Sequence, residues 1–557
     1  MLPEATLRKG GASVSESPQS GKKSLAASAV LMGFIILFSK ALGLYRDILV
    51  ASAYGSSAAG VAYETASKLP VTIFDFVLGG VVTAAFIPVY NSLAVQKGKK
   101  EALAFAQSYV NLILLVTGVL SVAGVVFAPG LVRFMAPDLV PETAALAARL
   151  TRIMFPMVIF VGLAFSFVGF LQSEGEYNIP ALISLVSNLI MAGYLLLFNE
   201  RFGVYGLSAA MLAGWIAQAA VQIPSAVKRG FRYRLTAPLN TPEIGRAAKN
   251  TVPILVATWT TPVCSIINTR LASGIERGRG IIALGYANRL YIIIVGLFSF
   301  VATNLLFPYF ARAAASGNAE ESDRLTRTSL RTLVFIIAPI ATGVAVLSVP
   351  FVGLIYERGE FTGNDTILTA AALSMYSAGM LFSACGEVLT KAFFAAEKTK
   401  LPMIASLVSM AFNAAALYGG RAILGERFGV GAIALTTALS AGVNMGVNLV
   451  FAFRRGMISS RTSDWADIAK SVASALVMGA VVHVLFGLAG SLGVGRLTGF
   501  ILCALAGAAV YALCALVLKS GEMTGLCAAV RDRLRVKSAG KDSETDSGST
   551  EGGAFHD

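Results

Sequence analysis

Residues 67–90 read SKLPVTIFDFVLGGVVTAAFIPVY, and residues 288–310 read NRLYIIIVGLFSFVATNLLFPYF. With one gap the two stretches align, setting Lys68 against Arg289 and Pro88 against Pro308. IPALISLVSN and LPMIASLVSM align Pro180 with Pro402, while FGVYGLSAA and FGVGAIALT align Gly203 with Gly429. A separation held near roughly 220 residues across all four markers denotes a duplicated unit, since chance likeness among apolar segments would not keep one spacing.

The duplicated unit is made of membrane helices. The 557 residues are 56% hydrophobic and only 14% charged, with a mean hydropathy of +0.71, far outside the range of soluble domains. A transmembrane helix needs roughly 20 apolar residues, and about fourteen such segments fit between Leu25 and Leu518. Six would fall in each half. Because six is even, both halves enter the membrane from the same side, and the repeats are parallel about an axis along the membrane normal. Transporters built this way bind substrate between the halves and alternate access by rocking. The expected organisation is a disordered N-terminus (1–23), a first six-helix bundle (24–235), a second (236–457), two extra helices (458–520) and a partly disordered tail (521–557). Both end segments are polar and of low complexity.

The formal charge of +14 follows from topology, because Lys and Arg gather in alternate loops, such as Lys97 to Lys100, Lys228 to Arg234 and Arg454 to Arg461. The intervening loops, APDLVPET, FNERFG and YERGEFTGND, are richer in acids. The positive-inside rule then places both termini in the cytoplasm. No basic run interleaved with aromatics suggests nucleic acid. The five cysteines are scattered without a CxxC spacing, and the two histidines, His483 and His556, form no metal set. His483 inside an apolar helix reads as a packed or lumen-facing residue before a proton relay. Paired carboxylates or a nucleophile with a base do not occur in one stretch, so the chain does not read as an enzyme.

Charges within or beside the apolar segments point to function. Lys40, Arg46 and Asp47 fall in FSKALGLYRD at the end of the first segment; Lys68, Asp75, Arg152, Arg270, Arg289, Glu387 and Lys391 follow. Cations outnumber acids. An Arg or Lys at a helix centre costs about 2.5–3.5 kcal/mol, so a surplus implies a polar, positive cavity meeting water or an anionic ligand. Glu387 and Lys391, spaced i,i+4 with the acid first, read equally well as a self-neutralising pair. On this reading the cavity cations supply binding and no stability.

The ordered set FSKALGLYRDILVASAYG, AFIPVY, INTRLASG, YANRL, FPYF, RGEFTGNDT and FFAAEKTKLP resembles the MurJ (MviN-type) lipid II flippases of the MOP transporter superfamily. The resemblance implies fourteen helices, two six-helix bundles forming a V around a cationic cavity, and two last helices forming a groove for a lipid tail. It implies a bacterial cytoplasmic membrane location and lipid II, an undecaprenyl-diphosphate disaccharide-pentapeptide, as substrate, with cell-wall synthesis proteins and membrane lipids as partners. Lys40 stands where the family usually has arginine, and Arg46 and Arg289 match family arginines that contact the pyrophosphate; Lys68 and Lys391 join them as cavity candidates. Guanidinium forks suit a diphosphate, and lysine serves as a point charge. No cofactor is implied.

The chain departs from the family at Val61, where many relatives have an acid, at Phe74, where they have a third cavity arginine, and at Gly79 to Val81, where their EGA reads GGV. Sodium-binding members use acids on the seventh and eleventh helices; here Leu417 stands one turn past Asn413, leaving Asn413 and Thr436 as candidate ion ligands. Membrane potential is an equal candidate driver beside a monovalent cation. Competing readings are an exporter of another polyprenyl-linked oligosaccharide, a multidrug-type MOP transporter, and a non-transporting scaffold. If the loop charges set the orientation, single cysteines at Lys99, Arg229 and Arg455 will resist impermeant thiol reagents in intact cells while one at Gly363 labels; the reverse pattern inverts the topology.

Overall fold

The computed structural model describes residues 18–78, 81–235, 238, 241–245, 255, 258–528 and 531. Among them every regular element is a helix. In chain order these are α1 (Pro18–Tyr54), α2 (Ala58–Val77), α3 (Val81–Gln96), α4 (Lys99–Val126), α5 (Ala128–Met135), α6 (Pro141–Met154), α7 (Met157–Ser173), α8 (Asn178–Leu197), α9 (Asn199–Ala220) and α10 (Ile223–Lys228). They continue as α11 (Thr260–Ser273), α12 (Arg279–Val301), α13 (Phe307–Ala315), α14 (Ala319–Val346), α15 (Ser348–Tyr356), α16 (Gly363–Ala395), α17 (Lys400–Leu424), α18 (Val430–Arg454), α19 (Thr462–Ser491) and α20 (Arg496–Val517). Residues 18–23, expected in a disordered N-terminus, form the first turns of α1. The rest of that segment, and the tail beyond 531 with His556, lie outside the described residues.

Ten of the described helices are long and apolar enough to cross a membrane, and the bent pair α6 and α7 brings the number to eleven. The expected fourteen is not reached by that measure. α2 falls short because Glu64, Lys68 and Asp75 share its twenty residues. The 43° bend between α6 and α7 falls at Phe155 and Pro156, where proline withdraws an amide from the helical ladder. Of the aligned prolines, Pro180 and Pro402 each occupy the third position of a helix, α8 and α17, where a missing N–H costs nothing, whereas Pro88 lies inside α3 and Pro308 in the first turn of α13.

The chain divides into two compact units, one of 1–47, 82–118 and 159–248 and one of 48–81, 119–158 and 249–557. In the first, Phe86, Tyr90, Phe105, Tyr109 and Phe170 stack edge and face, with ring centroids 5.2–5.7 Å apart. Glu174 closes one end of this cluster by accepting from Tyr90 Oη at 2.7 Å and pairing with Lys99 at 2.6 Å.

In the second unit, α2 packs on α6, α11 and α12, α16 packs on α12, α14 and α18, and α14 carries α19. Here α2, α5 and α6, all from the first half of the sequence, belong with the later helices. One reason is steric: Gly278, at φ +94°, brings its backbone beside Leu139 and Val61, and a Cβ there would overlap both side chains. A second is ionic. Arg279 donates to Ser56 Oγ at 2.8 Å and to Asp365 Oδ1 at 2.6 Å, while Asp365 also closes the capping box with Thr362 at the start of α16.

The last two long helices are tied down by charge. Arg331 of α14 reaches Asp464 (2.8 Å), Asp467 (3.0 Å) and Glu522 (2.7 Å), and Arg327 reaches Asp464 (2.7 Å) and Asp323 (3.0 Å). Replacing Arg331 by alanine removes three charge-assisted contacts, and we expect a loss of about 1–3 kcal/mol in thermal unfolding, with faster proteolysis between α18 and α19. The exposed neighbour Arg324→Ala serves as the control and stays within about 0.5 kcal/mol of the parent.

Candidate functional site: a polar cavity with two cations

The second unit encloses a cavity of about 680 Å³ walled by α2, α11, α12, α16, α17 and α18. Its lining is polar in an unusual way for membrane helices, with asparagine, serine and threonine facing Lys68 and Arg289. Lys68 lies on α2 and Arg289 on α12, so the two residues paired by the repeat share one wall.

Between them stands Glu64, which the sequence reading passed over. Its carboxylate accepts from Arg289 Nη2 at 2.7 Å and faces Lys68 Nζ at 3.1 Å, and the residue is only 2% exposed. The signal was present, since Glu64 and Lys68 are spaced i,i+4 with the acid first, the same pattern that marked Glu387 and Lys391. The link to Arg289, on a helix 225 residues further on, has no local signature. Gly285, one turn before Arg289, makes the room: a Cβ there would lie 2.5 Å from Glu64 Oε1. The Arg289 guanidinium also rests over the Tyr286 ring, 4.9 Å from its centroid.

Apart from Glu387, the rest of the wall is neutral. Asn268 Nδ2 donates to Thr437 Oγ1 at 3.2 Å, Ser440 Oγ donates to the Ser409 carbonyl at 2.8 Å, and Asn444 Nδ2 donates to Ser406 Oγ at 3.3 Å. Asn413 faces this cavity fully buried, with no protein partner for either side-chain polar atom. Thr436 and Thr437 bond back to the Ala432 and Ile433 carbonyls of their own helix at 2.9 Å and 3.0 Å, and of the two it is Thr437 that lines the cavity. Lys391 pairs with Glu387 at 3.3 Å; Glu387 reaches the lining, where the sequence had proposed Lys391.

Lys40 and Arg46 belong to the first unit. Lys40 is exposed. Arg46 donates to Asp47 Oδ1 (2.8 Å) and to Asn188 Oδ1 (2.8 Å), and Asn188 Nδ2 in turn holds the Ser39 carbonyl at 3.2 Å. Asn188, on α8, is thus a positioning residue that sequence spacing does not reveal. Gly43 admits it closely, since a Cβ there would lie 3.2 Å from Asn188 Nδ2. Arg270 is spent on the Phe134 carbonyl (2.6 Å), and Arg152 is exposed beside that of Val125. His483, read from sequence as packed or lumen-facing, is exposed on α19.

A helical membrane protein with a polar, cation-bearing cavity inside its helices has the build of a transporter, and the fold agrees. A solved structure titled as lipid II flippase MurJ in an inward closed conformation superposes with a TM-score of 0.74 at 23% identity, over 89% of this chain and all (100%) of that one. An inward-facing multidrug resistance MATE transporter of the MOP superfamily superposes with a TM-score of 0.64 at 14% identity, over 77% of this chain and 98% of that one. The family model described as "Lipid II flippase MurJ" matches residues 50–501. A relative from Bdellovibrio bacteriovorus, named "Probable lipid II flippase MurJ", is 29% identical over 399 residues, 70% of this chain and 76% of its own length. The chain belongs to the MurJ lipid II flippase family.

Glu64 changes what the cations do for stability. Against the sequence expectation that they supply none, Arg289 and Lys68 both pair with Glu64, and removing either would leave a buried carboxylate short of a partner. Arg289→Ala should therefore lower the unfolding free energy by about 2–4 kcal/mol. Adding Glu64→Gln should restore much of it, a coupling that a double-mutant cycle on the purified protein measures.

Proposed function

We propose that this chain moves lipid II across the bacterial cytoplasmic membrane by alternating access, without covalent chemistry. The observation that carries the reading is the cavity itself: two cations, Arg289 and Lys68, and two acids, Glu64 and Glu387, set among neutral amides and hydroxyls and held by helices of a flippase family. A diphosphate cannot cross hydrocarbon alone; Arg289 offers it a fork and Lys68 a point charge. Sugars and peptide amides, which exchange hydrogen bonds without net charge, suit Asn268, Thr437 and Asn444. Lys40 and Arg46 are proposed as further anion contacts on the first unit. Both termini are proposed to be cytoplasmic, with membrane potential or a monovalent cation as the driver.

An apolar groove of about 390 Å³ supports a long-chain lipid. It lies along α14, α15, α19 and α20, lined by Pro339, Val344, Phe351, Met478, Phe500 and Tyr511 among others. Ile340 and Leu505 beside it remain open to the surroundings. Small amphipathic drugs need no such track, which favours the lipid over a multidrug substrate.

The test is rescue of cells depleted of their own lipid II flippase, with inner-leaflet precursor measured in parallel. The wild-type chain should rescue, Lys40→Arg should be tolerated, and Arg46→Ala should fail. No rescue at normal expression would make lipid II the wrong substrate. For the groove, Gly343→Phe is informative because a Cβ at Gly343 meets nothing within 4 Å. It should fold normally yet weaken binding of the long-chain lipid about ten-fold, the loss of two or so buried methylenes, with a short-chain analogue unaffected.

A further inference from the structure

Glu64 occupies the place where an anionic substrate would meet Arg289 and Lys68. A carboxylate meant only to neutralise one lysine needs no second helix, as Glu387 and Lys391 show within α16 at 3.3 Å. Glu64 instead spans from α2 to α12, and Gly285 keeps open the space its Oε1 fills. Four positions on two helices, Glu64, Lys68, Gly285 and Arg289, are thus fitted around one anion. With Tyr286 against the guanidinium, Arg289 is held in place on its aromatic side while its hydrogen-bonding edge is engaged by the carboxylate.

We propose that Glu64 is an internal counter-anion that competes with the substrate's diphosphate for Arg289 and Lys68. This rests on the reading of the chain as a lipid-diphosphate carrier. The diphosphate enters by exchanging for the carboxylate, and the returning carboxylate expels it. Two considerations support exchange over simple addition. A buried cation without a partner is costly, and exchange keeps both cations paired when the site is empty and when it is filled, with the displaced carboxylate turning into the polar cavity that Glu64 already lines. Transport also requires that the site release what it binds, and two unopposed cations in a partly desolvated wall would hold a diphosphate too firmly to let it go. The carboxylate lowers the net charge of the trio to +1 and sets the affinity in a releasable range. The third cavity cation of relatives is absent at Phe74, which is 1% exposed, so the exchange falls on Arg289 and Lys68.

The experiment uses the full chain in nanodiscs. Binding of lipid II, bare undecaprenyl diphosphate and undecaprenol is measured by native mass spectrometry, and flipping of lipid II is followed in proteoliposomes. Glu64→Gln keeps a hydrogen-bond acceptor but loses the charge. It should bind both diphosphate lipids about ten-fold more tightly, the equivalent of one charge-assisted hydrogen bond, while undecaprenol is unchanged and flipping slows. This split between affinity and turnover is one that a merely structural carboxylate would not produce. Gly285→Ala provides the second reading, because its Cβ meets the flexible end of Glu64 with the charge retained. It should shift affinity in the same direction to a smaller extent. If both variants melt like the parent and bind diphosphate lipids no more tightly, the exchange is wrong; if Glu64→Gln fails to fold, the Gly285→Ala affinity decides alone. A wild-type chain that flips lipid II while Glu64→Gln matches it in both readouts overturns the exchange but leaves the carrier reading intact. A wild-type chain that binds neither diphosphate lipid overturns the carrier reading and the exchange with it.

Discussion

A guanidinium and an ammonium embedded among membrane helices need an anion, and in this chain Glu64 supplies it at 2.7 Å and 3.1 Å. That requirement shapes what surrounds the trio. It explains why α12 carries a glycine at 285, where any side chain would strike the carboxylate, and why an aromatic ring at 286 backs the arginine. It also fixes α2 against α12, so a helix from the first half of the sequence packs with the second unit. The pairing is weak evidence for stability, because desolvating three charges costs much of what their attraction returns. Under the exchange proposed above, its retention keeps both cations paired until a diphosphate takes the carboxylate's place.

The second unit carries two surfaces of opposite character. Around the trio, the cavity offers hydroxyls and amides whose own hydrogen bonds are largely internal, so they present edges to a ligand without adding charge. Along α14, α19 and α20 the lining is almost wholly apolar, and small residues such as Gly343, Ala504 and Gly507 leave its floor open. A headgroup and a hydrocarbon chain have opposite needs, and on the proposed function these two surfaces would meet them separately. The arginines at 327 and 331 hold the frame at the far end of α14, where Asp464, Asp467 and Glu522 converge, so that the groove's two outer helices do not depend on apolar packing in lipid alone.

Arg46 illustrates a different way of holding a cation. Its guanidinium shares Asp47 and the Asn188 amide, and Asn188 is itself anchored on the Ser39 carbonyl. The amide thus bridges α1 to α8 and limits where the arginine can point, which adds direction without adding charge. Position 188 and position 46 have no spacing relation that a periodicity would expose.

The class of the molecule, the repeated spacing and the identity of its cations are legible in the order of the amino acids. Those follow from properties that act residue by residue: apolar length sets a membrane helix, and a repeated spacing sets a repeat, so Lys68 and Arg289 were equivalent before any packing was known. The pairing of Glu387 with Lys391 was legible for the same reason, being contained in one turn of helix. Which faces turn inward is settled by helix packing. Thr437 lines the cavity and Thr436 does not, His483 is exposed, and Glu64 bridges two helices, all of which depend on the rotation and depth of one helix against another. Composition is blind to those two quantities, because several rotations of an apolar helix bury similar area, and close contacts such as Gly285 against Glu64 select among them.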